Sequence, residues 1–517
     1  MRARVRLLRR NTSLPQETSD GADRMRNGSL YVEVDSMTSA LPRKMSTLEK
    51  AFEINLDTGR YGTFAEIGAG QEVVRWFFQA GGAAGTISKS ISAYDMQVSD
   101  AIYGPSKRYV SRDRLEAMLA HEQHLTRTRL SVGRGDDSCF FSFADTVTAR
   151  NYLGTNDCHA WMGIRFQDKP HADDSTIIVH VRLLDDTNAA QQEALGVLGV
   201  NLIHSAYTLY ETPTQLVAAL LDGLSVERIE IDMINFSGPV FAGVDNRVMS
   251  LRLVELGLTG VAMFAANGEV LQPSEALRKK TLLVQRGRFR PITHINMDIL
   301  RSALETLARQ CEIDEEDILP IFEISMHNLM EESYVCLDDF ISRADIISTT
   351  GCAVMISDFR EYHRLAQYLY RYTDKTIGLP MGLETLRTLF EERYYDNLDG
   401  GILEGLGRLF KAHLNLLAYP LKNADTGQIE SLDDVRLKGS LPHLFEYLRD
   451  RGFIRTIENP SHKYLDIRSH NVLSMIAAGD ERWTELVPAG VASAIVERRL
   501  FGYGDSVDVT ASVAVAV

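Results

Sequence analysis

The chain has 517 residues, 45% of them apolar and 24% charged, with a formal net charge of −15; that length exceeds what one hydrophobic core usually supports, so at least two domains are expected. The composition is that of an ordinary globular protein, and no stretch approaches the roughly 18 uncharged apolar residues of a membrane helix. The charge is uneven: residues 1–46 carry a net +4 and the rest −19, an acidic body that argues against nucleic-acid binding yet leaves room for a small phosphorylated ligand held by a local arginine cluster.

The opening "MRARVRLLRRNTSLPQETSDGADRMRNGS" has five Arg in its first ten residues and then a polar run. It cannot bury enough apolar area to fold alone, so residues 1–46 are expected to be a disordered extension, with Met45 an alternative start. Cys139, Cys158, Cys311, Cys336 and Cys352 form no CxxC pair and no zinc spacing. Reduced thiols in a cytoplasmic protein, with no membrane partner and no metal centre, are the expectation; oligomeric state is open.

From Ser46 the punctuation is α/β. "TFAEIGAGQEVVRWFFQAGG" reads as a strand, a glycine turn and a short helix closed by Gly81–Gly82. Its Glu66, Gly68 and Gly70 resemble the first motif of S-adenosylmethionine-dependent methyltransferases, in which the glycines admit the methionine portion of the cofactor. Gln71 and Glu72 stand where that motif continues, and Asp95 lies about where its ribose-binding acid falls. The alternative is a packed turn in which Glu72 favours the helix dipole.

Residues 112–130 have helical periodicity. Three strand-like runs follow, "CFFSFADTV", "AWMGIRF" and "STIIVHVRLL", whose succession predicts antiparallel neighbours. His180, inside the third, reads as a hydrogen-bonded core histidine. Residues 189–222 read as two helices, "ERIEIDMINF" as a strand, "RVMSLRLVELG" as a helix and "GVAMFAA" as a strand. Asp245, Asn246 and Arg247 fall between a strand and a helix, where open α/β sheets hold ligands or helix caps. Asn-Gly and Pro within 266–275 predict a boundary.

Beyond it, "KTLLVQRG" is a strand and 297–309 a helix. "DEEDILPIFEISMHNLM" reads as an acid-led helical stretch. "CAVMISD", "KTIGLPM" and "NLLAYPL" are strands, separated by helices at "EYHRLAQYLYRYT", "LETLRTLFEERYY" and "GILEGLGRLFKAHL". Asp358 and Arg360 sit just past a strand, with His363 near the start of the next helix, and are candidates for a ligand or a cap. The whole predicts an α/β fold: two domains of mixed, mainly Rossmann-like sheets covered by helices, over 47–272 and 273–480, with a helix and tail over 481–517.

"VQRGRFRPITHIN" combines a strand, a Gly-x-Phe-x-Pro loop and a helix. It resembles the first motif of the adenylyltransferases acting on nicotinate or nicotinamide mononucleotide. Gly287, Phe289 and Pro291 match that motif, and Thr293 is a permitted variant of its first histidine. Ile295 and Asn296 replace its glycine and second histidine. The resemblance implies ATP with magnesium as ligand. Arg286, Arg288 and Arg290 with Gly287 would then neutralise phosphate, and Thr293 and His294 would donate to it. Over residues 46–475 the chain also resembles a bacterial family whose members bear names such as nicotinate-nucleotide adenylyltransferase or TonB-dependent receptor. The rival expectation is a non-enzymatic structural or regulatory α/β protein, and a methyltransferase stands third.

Overall fold

The computed structural model describes residues 44–504 apart from Ala69, 332–333, Ala412 and 424–425. The expected extension falls almost wholly outside the described residues, as does the tail beyond Gly504. From Met45 onward the chain forms one compact unit containing two mixed sheets. None of its described helices is long and apolar enough to cross a membrane. The five cysteines are free.

The first sheet is built from β1 (Arg60–Ile67), β2 (Ile87–Ile91), β3 (Cys139–Thr148), β4 (His159–Phe166), β5 (Ser175–Leu183) and β6 (Ile229–Ser237). Its order is β2-β1-β3-β4-β5-β6. β1 runs parallel to β2 and β3, and β3 to β6 are antiparallel neighbours, as the three consecutive strand runs predicted. The helices here are α1 (Thr47–Leu56), α2 (Glu72–Ala80), α3 (Met96–Tyr103), α4 (Arg112–Arg134), α5 (Asn188–Thr208), α6 (Pro213–Ala219) and α7 (Asn246–Glu255). Alternate strand residues bury opposite faces. Phe64, Phe143 and Ile164 pack with α1, α2 and α5, and Ala65, Ala144 and Trp161 pack under Leu115 and Met118 of α4.

The second sheet begins with β7 (Val261–Phe264) and β8 (Val270–Leu271), so the chain changes sheet between Ser237 and Val261. Then come α8 (Pro273–Leu277), β9 (Thr281–Arg286), α9 (His294–Cys311), β10 (Ile318–Ser325), α10 (Met326–Leu329), the hairpin β11 (Met330–Glu331) and β12 (Tyr334–Val335), and α11 (Leu337–Ser348). β13 (Ala353–Ser357), α12 (Tyr362–Leu369), β14 (Ile377–Gly382), α13 (Leu383–Leu389), α14 (Gly401–Leu409) and β15 (Leu414–Tyr419) follow. The hairpin β16 (Leu421–Lys422) and β17 (Ile429–Glu430), α15 (Leu441–Asp450), β18 (Ile454–Thr456), α16 (Ser469–Ala477) and α17 (Ala489–Arg498) complete it.

The "ILPIFEIS" segment corrects the sequence reading. It is the strand β10, entered by a single 3-10 turn at Glu315–Asp317, rather than a helix. A short apolar run buried on both faces has no periodicity to separate it from a helix.

The strand order is β18-β15-β14-β9-β10-β13-β7-β8, parallel from β18 to β13. After the edge strands β7 and β8, the parallel part starts in the middle at β9, moves one way through β10 and β13, then returns to build β14, β15 and β18 on the other side. This is the doubly wound order whose reversal point lies between β9 and β14. One face is covered by α9, α11, α16 and α17, the other by α12 to α15. β14 pairs with β9 only at Ile377↔Leu282 and Gly378↔Leu283, whereas it pairs with β15 along its whole length. The β9–β14 ladder therefore stops short of the carboxyl edge at the reversal point.

Candidate functional site

The loop leaving β9 begins at that carboxyl edge and leads into α9. Gly287 is required there, because a Cβ would stand 2.7 Å from the Phe289 ring. Phe289 has φ 49° and turns inward, edge-on to Phe322 at 4.7 Å between centroids. Substituting Gly287→Ala is expected to displace that ring and cost about 1–3 kcal/mol, the usual range for overpacking, measurable by urea unfolding.

Arg286, the last residue of β9, is 9% exposed and clasps the wholly buried Glu323 of β10. Its Nε and Nη2 donate to the two carboxylate oxygens at 2.6 and 3.0 Å. Nη1 and Nη2 also donate to the carbonyls of Arg360 and Phe359 at 2.9 and 2.8 Å. Ser357 of β13 donates to the same carboxylate, and the Arg286 guanidinium lies 4.7 Å from the Tyr362 ring centroid. Burial pulls the Arg286 pKa down, but the Glu323 charge and hydrogen bonds, with Tyr362 and Glu361, together more than reverse it. The first of the three alternate arginines is therefore a strut tying β9, β10 and β13 together, with its donors committed within the protein.

The other two face the opposite side of the loop. Arg290 Nε lies 2.7 Å from Asp339 Oδ1, and Arg343, one turn along α11, pairs with Oδ2 of the same carboxylate. Arg343 also donates to the Asn328 carbonyl at 2.7 Å and the Arg288 carbonyl at 3.3 Å, while the Arg288 residue itself is exposed. Burial, together with the charges of Arg290 and Arg288, outweighs Asp339 and lowers the Arg343 pKa. Two guanidiniums thus share one carboxylate, with the Arg288 charge acting on Arg343, a local positive excess in an acidic body.

Thr293 and His294 are engaged elsewhere. Thr293 is fully buried and caps α9: its N–H and hydroxyl both donate to Asn296 Oδ1, at 2.9 and 3.0 Å. Asn296, the residue standing in place of a catalytic histidine, completes this cap. His294 stacks on Tyr464 at 5.2 Å, and burial and Lys463 lower its pKa. The loop brings arginines together but holds neither Thr293 nor His294 ready to donate.

On the α12 face of the same edge lies a cavity of about 240 Å3 whose lining includes His327, Arg360, Tyr362, His363, Tyr394 and Tyr395. The His363 ring is 3% exposed and its Nδ1 has no hydrogen-bond partner; burial lowers its pKa, so it is neutral at physiological pH. Burial pushes Tyr362 up to about 12. Arg360 is exposed at the rim, as is Asp358, whose N–H donates to the Gly260 carbonyl at 2.9 Å. Aromatic walls, a buried neutral imidazole, the Glu361 carboxylate and Arg360 at the mouth suit a planar ring with hydrogen-bonding edges.

The remaining candidates are structural caps. Glu66 of β1 accepts from the N–H groups of Val73 and Val74 at 3.0 and 2.9 Å, closing the start of α2. Gly68 has φ 108° and approaches the Val147 carbonyl so closely that a Cβ would lie 2.2 Å from its oxygen; Gly70 has φ 86°. Asp95 caps α3 by accepting from Gln97 and Val98. Asp245 caps α7 by accepting from the Arg247 N–H at 2.8 Å. Arg247 is clasped by Asp245 and Asp345, each at 2.7 Å. Asn246 bonds both the N–H and the carbonyl of Phe236. Among the described residues no cluster of three or more His, Cys, Asp or Glu is placed to hold a metal ion.

No family model matches the chain, and no curated protein matches it. Among solved structures, the competence/damage-inducible protein CihA from Agrobacterium tumefaciens aligns at 13% identity over 30% of this chain and 93% of that one, with a TM-score of 0.24. A competence-damaged (CinA) superfamily protein from Klebsiella pneumoniae aligns at 12% over 31% and 97%, TM-score 0.23. A competence or damage-inducible protein from Enterobacter asburiae aligns at 14% over 31% and 95%, TM-score 0.23. Likeness at these TM-scores carries no argument here.

Two site residues went unread in the sequence: Glu323 and Arg343. Arg343 was within reach, because it falls on the Phe340–Ala344–Ile347 stripe of α11, where a charge must find buried partners.

Proposed function

We propose that the second sheet binds a phosphorylated heteroaromatic ligand, a nucleotide, at its carboxyl edge. The observation that carries this reading is the aromatic cavity at the carboxyl edge, on the same edge as the arginine-rich loop that leaves β9 at the reversal point. The cavity is smaller than the roughly 300–1,000 Å3 of drug-sized sites, so it suits one ring, with phosphates outside it toward the arginines. Adenylyl transfer from ATP to a pyridine mononucleotide is the reaction suggested by the Gly287–Pro291 loop. It would require Thr293 and Asn296 to abandon the α9 cap. The intact cap favours the second reading, in which the nucleotide is held as a signal and not transformed. The Gly68–Gly70 turn supports S-adenosylmethionine less, since Glu66 and Asp95 are spent on helix caps.

The test is a thermal-shift panel on the full chain with ATP, nicotinate mononucleotide, NAD and S-adenosylmethionine, with and without magnesium. At 100 times the dissociation constant a ligand adds about 2.7 kcal/mol, a shift of a few degrees. ATP or a pyridine nucleotide is expected to produce it, and Arg288→Ala with Arg360→Ala to abolish it. A shift with S-adenosylmethionine alone, or with none of the four, contradicts the reading.

A further inference from the structure

The aromatic cavity on the α12 face of the second sheet holds two buried polar atoms that have no hydrogen-bond partner among the described residues. One is His363 Nδ1 and the other is Glu361 Oε2. Both residues line the cavity. Both also belong to the turn that opens α12, Glu361 as its N-cap and His363 two residues further on. An N-cap side chain ordinarily accepts from the first backbone N–H groups of its helix, but Glu361 makes no such bond. The Arg364 guanidinium, one turn along, stands 3.9 Å from Oε2, beyond hydrogen-bonding distance, and lies 5.6 Å from the Phe359 ring centroid. The Glu361 side chain is nonetheless largely withdrawn from solvent, at 22% exposure.

The two orphan atoms make different demands. A carboxylate only accepts, whereas a neutral imidazole has one N–H and one lone pair, so that Nδ1 accepts or donates according to tautomer. Burial keeps His363 neutral. Whatever fills the cavity must therefore bring a hydrogen-bond donor to Glu361, while His363 adapts to either kind of partner.

The rest of the wall leaves this demand in place. The Tyr395 hydroxyl donates to the Leu389 carbonyl at 2.7 Å and the Thr388 hydroxyl to the Glu384 carbonyl at 3.0 Å. Arg360 is exposed at the rim. An acid group on the ring, placed against Glu361, would meet like charge and leave the buried oxygen without a donor, which is costly away from water. The Tyr395 ring lies 6.1 Å from the His363 ring between centroids, inclined at 33°, and supplies an apolar face for a planar ligand.

Resting on the nucleotide reading of this cavity, we propose that Glu361 is its specificity-determining residue: the ring it takes carries an exocyclic N–H2 group, as a carboxamide or as the amine of adenine, and a ring acid is rejected. The N–H2 group donates to Glu361 Oε2. The neighbouring amide oxygen or ring nitrogen of the ligand accepts from His363, which then carries its proton on Nδ1. Phosphates stay outside, toward Arg360.

Two ligand pairs, each differing only at that group, test this by calorimetric titration of the full chain: nicotinamide against nicotinate mononucleotide, and ATP against purine riboside triphosphate. In at least one pair the amino-bearing member is expected to bind about ten-fold more tightly, the effect of one hydrogen bond to a charged group. The pair that does so identifies the source of the ring. In Glu361→Ala, which takes no cap hydrogen bond from α12, that preference is expected to shrink to within about three-fold. Equal affinities within both pairs, or tighter binding of nicotinate mononucleotide, overturn the inference and leave nucleotide binding standing. A preference that survives in Glu361→Ala overturns the role of Glu361. Binding by none of the four overturns the nucleotide reading together with the inference.

Discussion

Replacing Glu323 by alanine is expected to destabilise the protein by about 3–5 kcal/mol, the usual result of removing one partner from a buried ion pair. Glu323 is wholly buried and receives Arg286 through two hydrogen bonds and Ser357 through a third. Its loss leaves a guanidinium in the core edge with no counter-charge. Urea unfolding measures the cost. Replacing the pair together, Arg286→Met with Glu323→Leu, is expected to recover most of it, because two apolar side chains need no partner. A Glu323→Ala variant within 1 kcal/mol of the parent (about the worth of an exposed pair) would contradict the strut assigned to Arg286.

The second large effect is on pH dependence. Glu66 and Asp145 face each other on the parallel strands β1 and β3. Burial and then the neighbouring Glu72 raise the Glu66 pKa from 4.5 to about 7, against the lowering effect of its bonds to Val73 and Val74. Burial and the Glu66 charge raise Asp145 well above its ordinary value. A carboxyl with a raised folded-state pKa binds more protons folded than unfolded, so its contribution is full below pH 4.5 and is lost as pH climbs to about 7. At about 1.4 kcal/mol per pKa unit the loss from Glu66 is on the order of 3 kcal/mol. Asp145→Asn keeps the acceptor for the Ile67 N–H, which lies 3.2 Å away, and removes the repulsion. Its stability is expected to fall less between pH 4.5 and 7 and to exceed that of the parent at pH 8. A variant that folds but is no more stable than the parent at pH 8 would contradict the repulsion.

Long periodic helices and β-branched strands were legible. α4, α5, β3, β4 and β5 lie where alternation or helical spacing put them. β10 was not, because "ILPIFEIS" is apolar on both faces and opens after an acid run that also begins helices. The strand–loop–helix around Gly287 was legible as a loop. What the loop does with its side chains was not, because Arg286 meets Glu323 across 37 residues and Arg290 meets Asp339 across α9, β10, α10 and the β11–β12 hairpin. Long-range pairing of charges has no local signature, and the same holds for Asp232, His180 and Gln272, which meet through hydrogen bonds beside the register shift between β5 and β6.

The most direct measurement of nucleotide binding at the second sheet is amide hydrogen exchange of the full chain with and without saturating ATP. The account predicts added protection at residues 286–294, 339–343, 359–363 and 385–395, with the Gly68–Gly70 turn unchanged. Protection at 66–74 instead, or no difference anywhere in a folded sample, would contradict it.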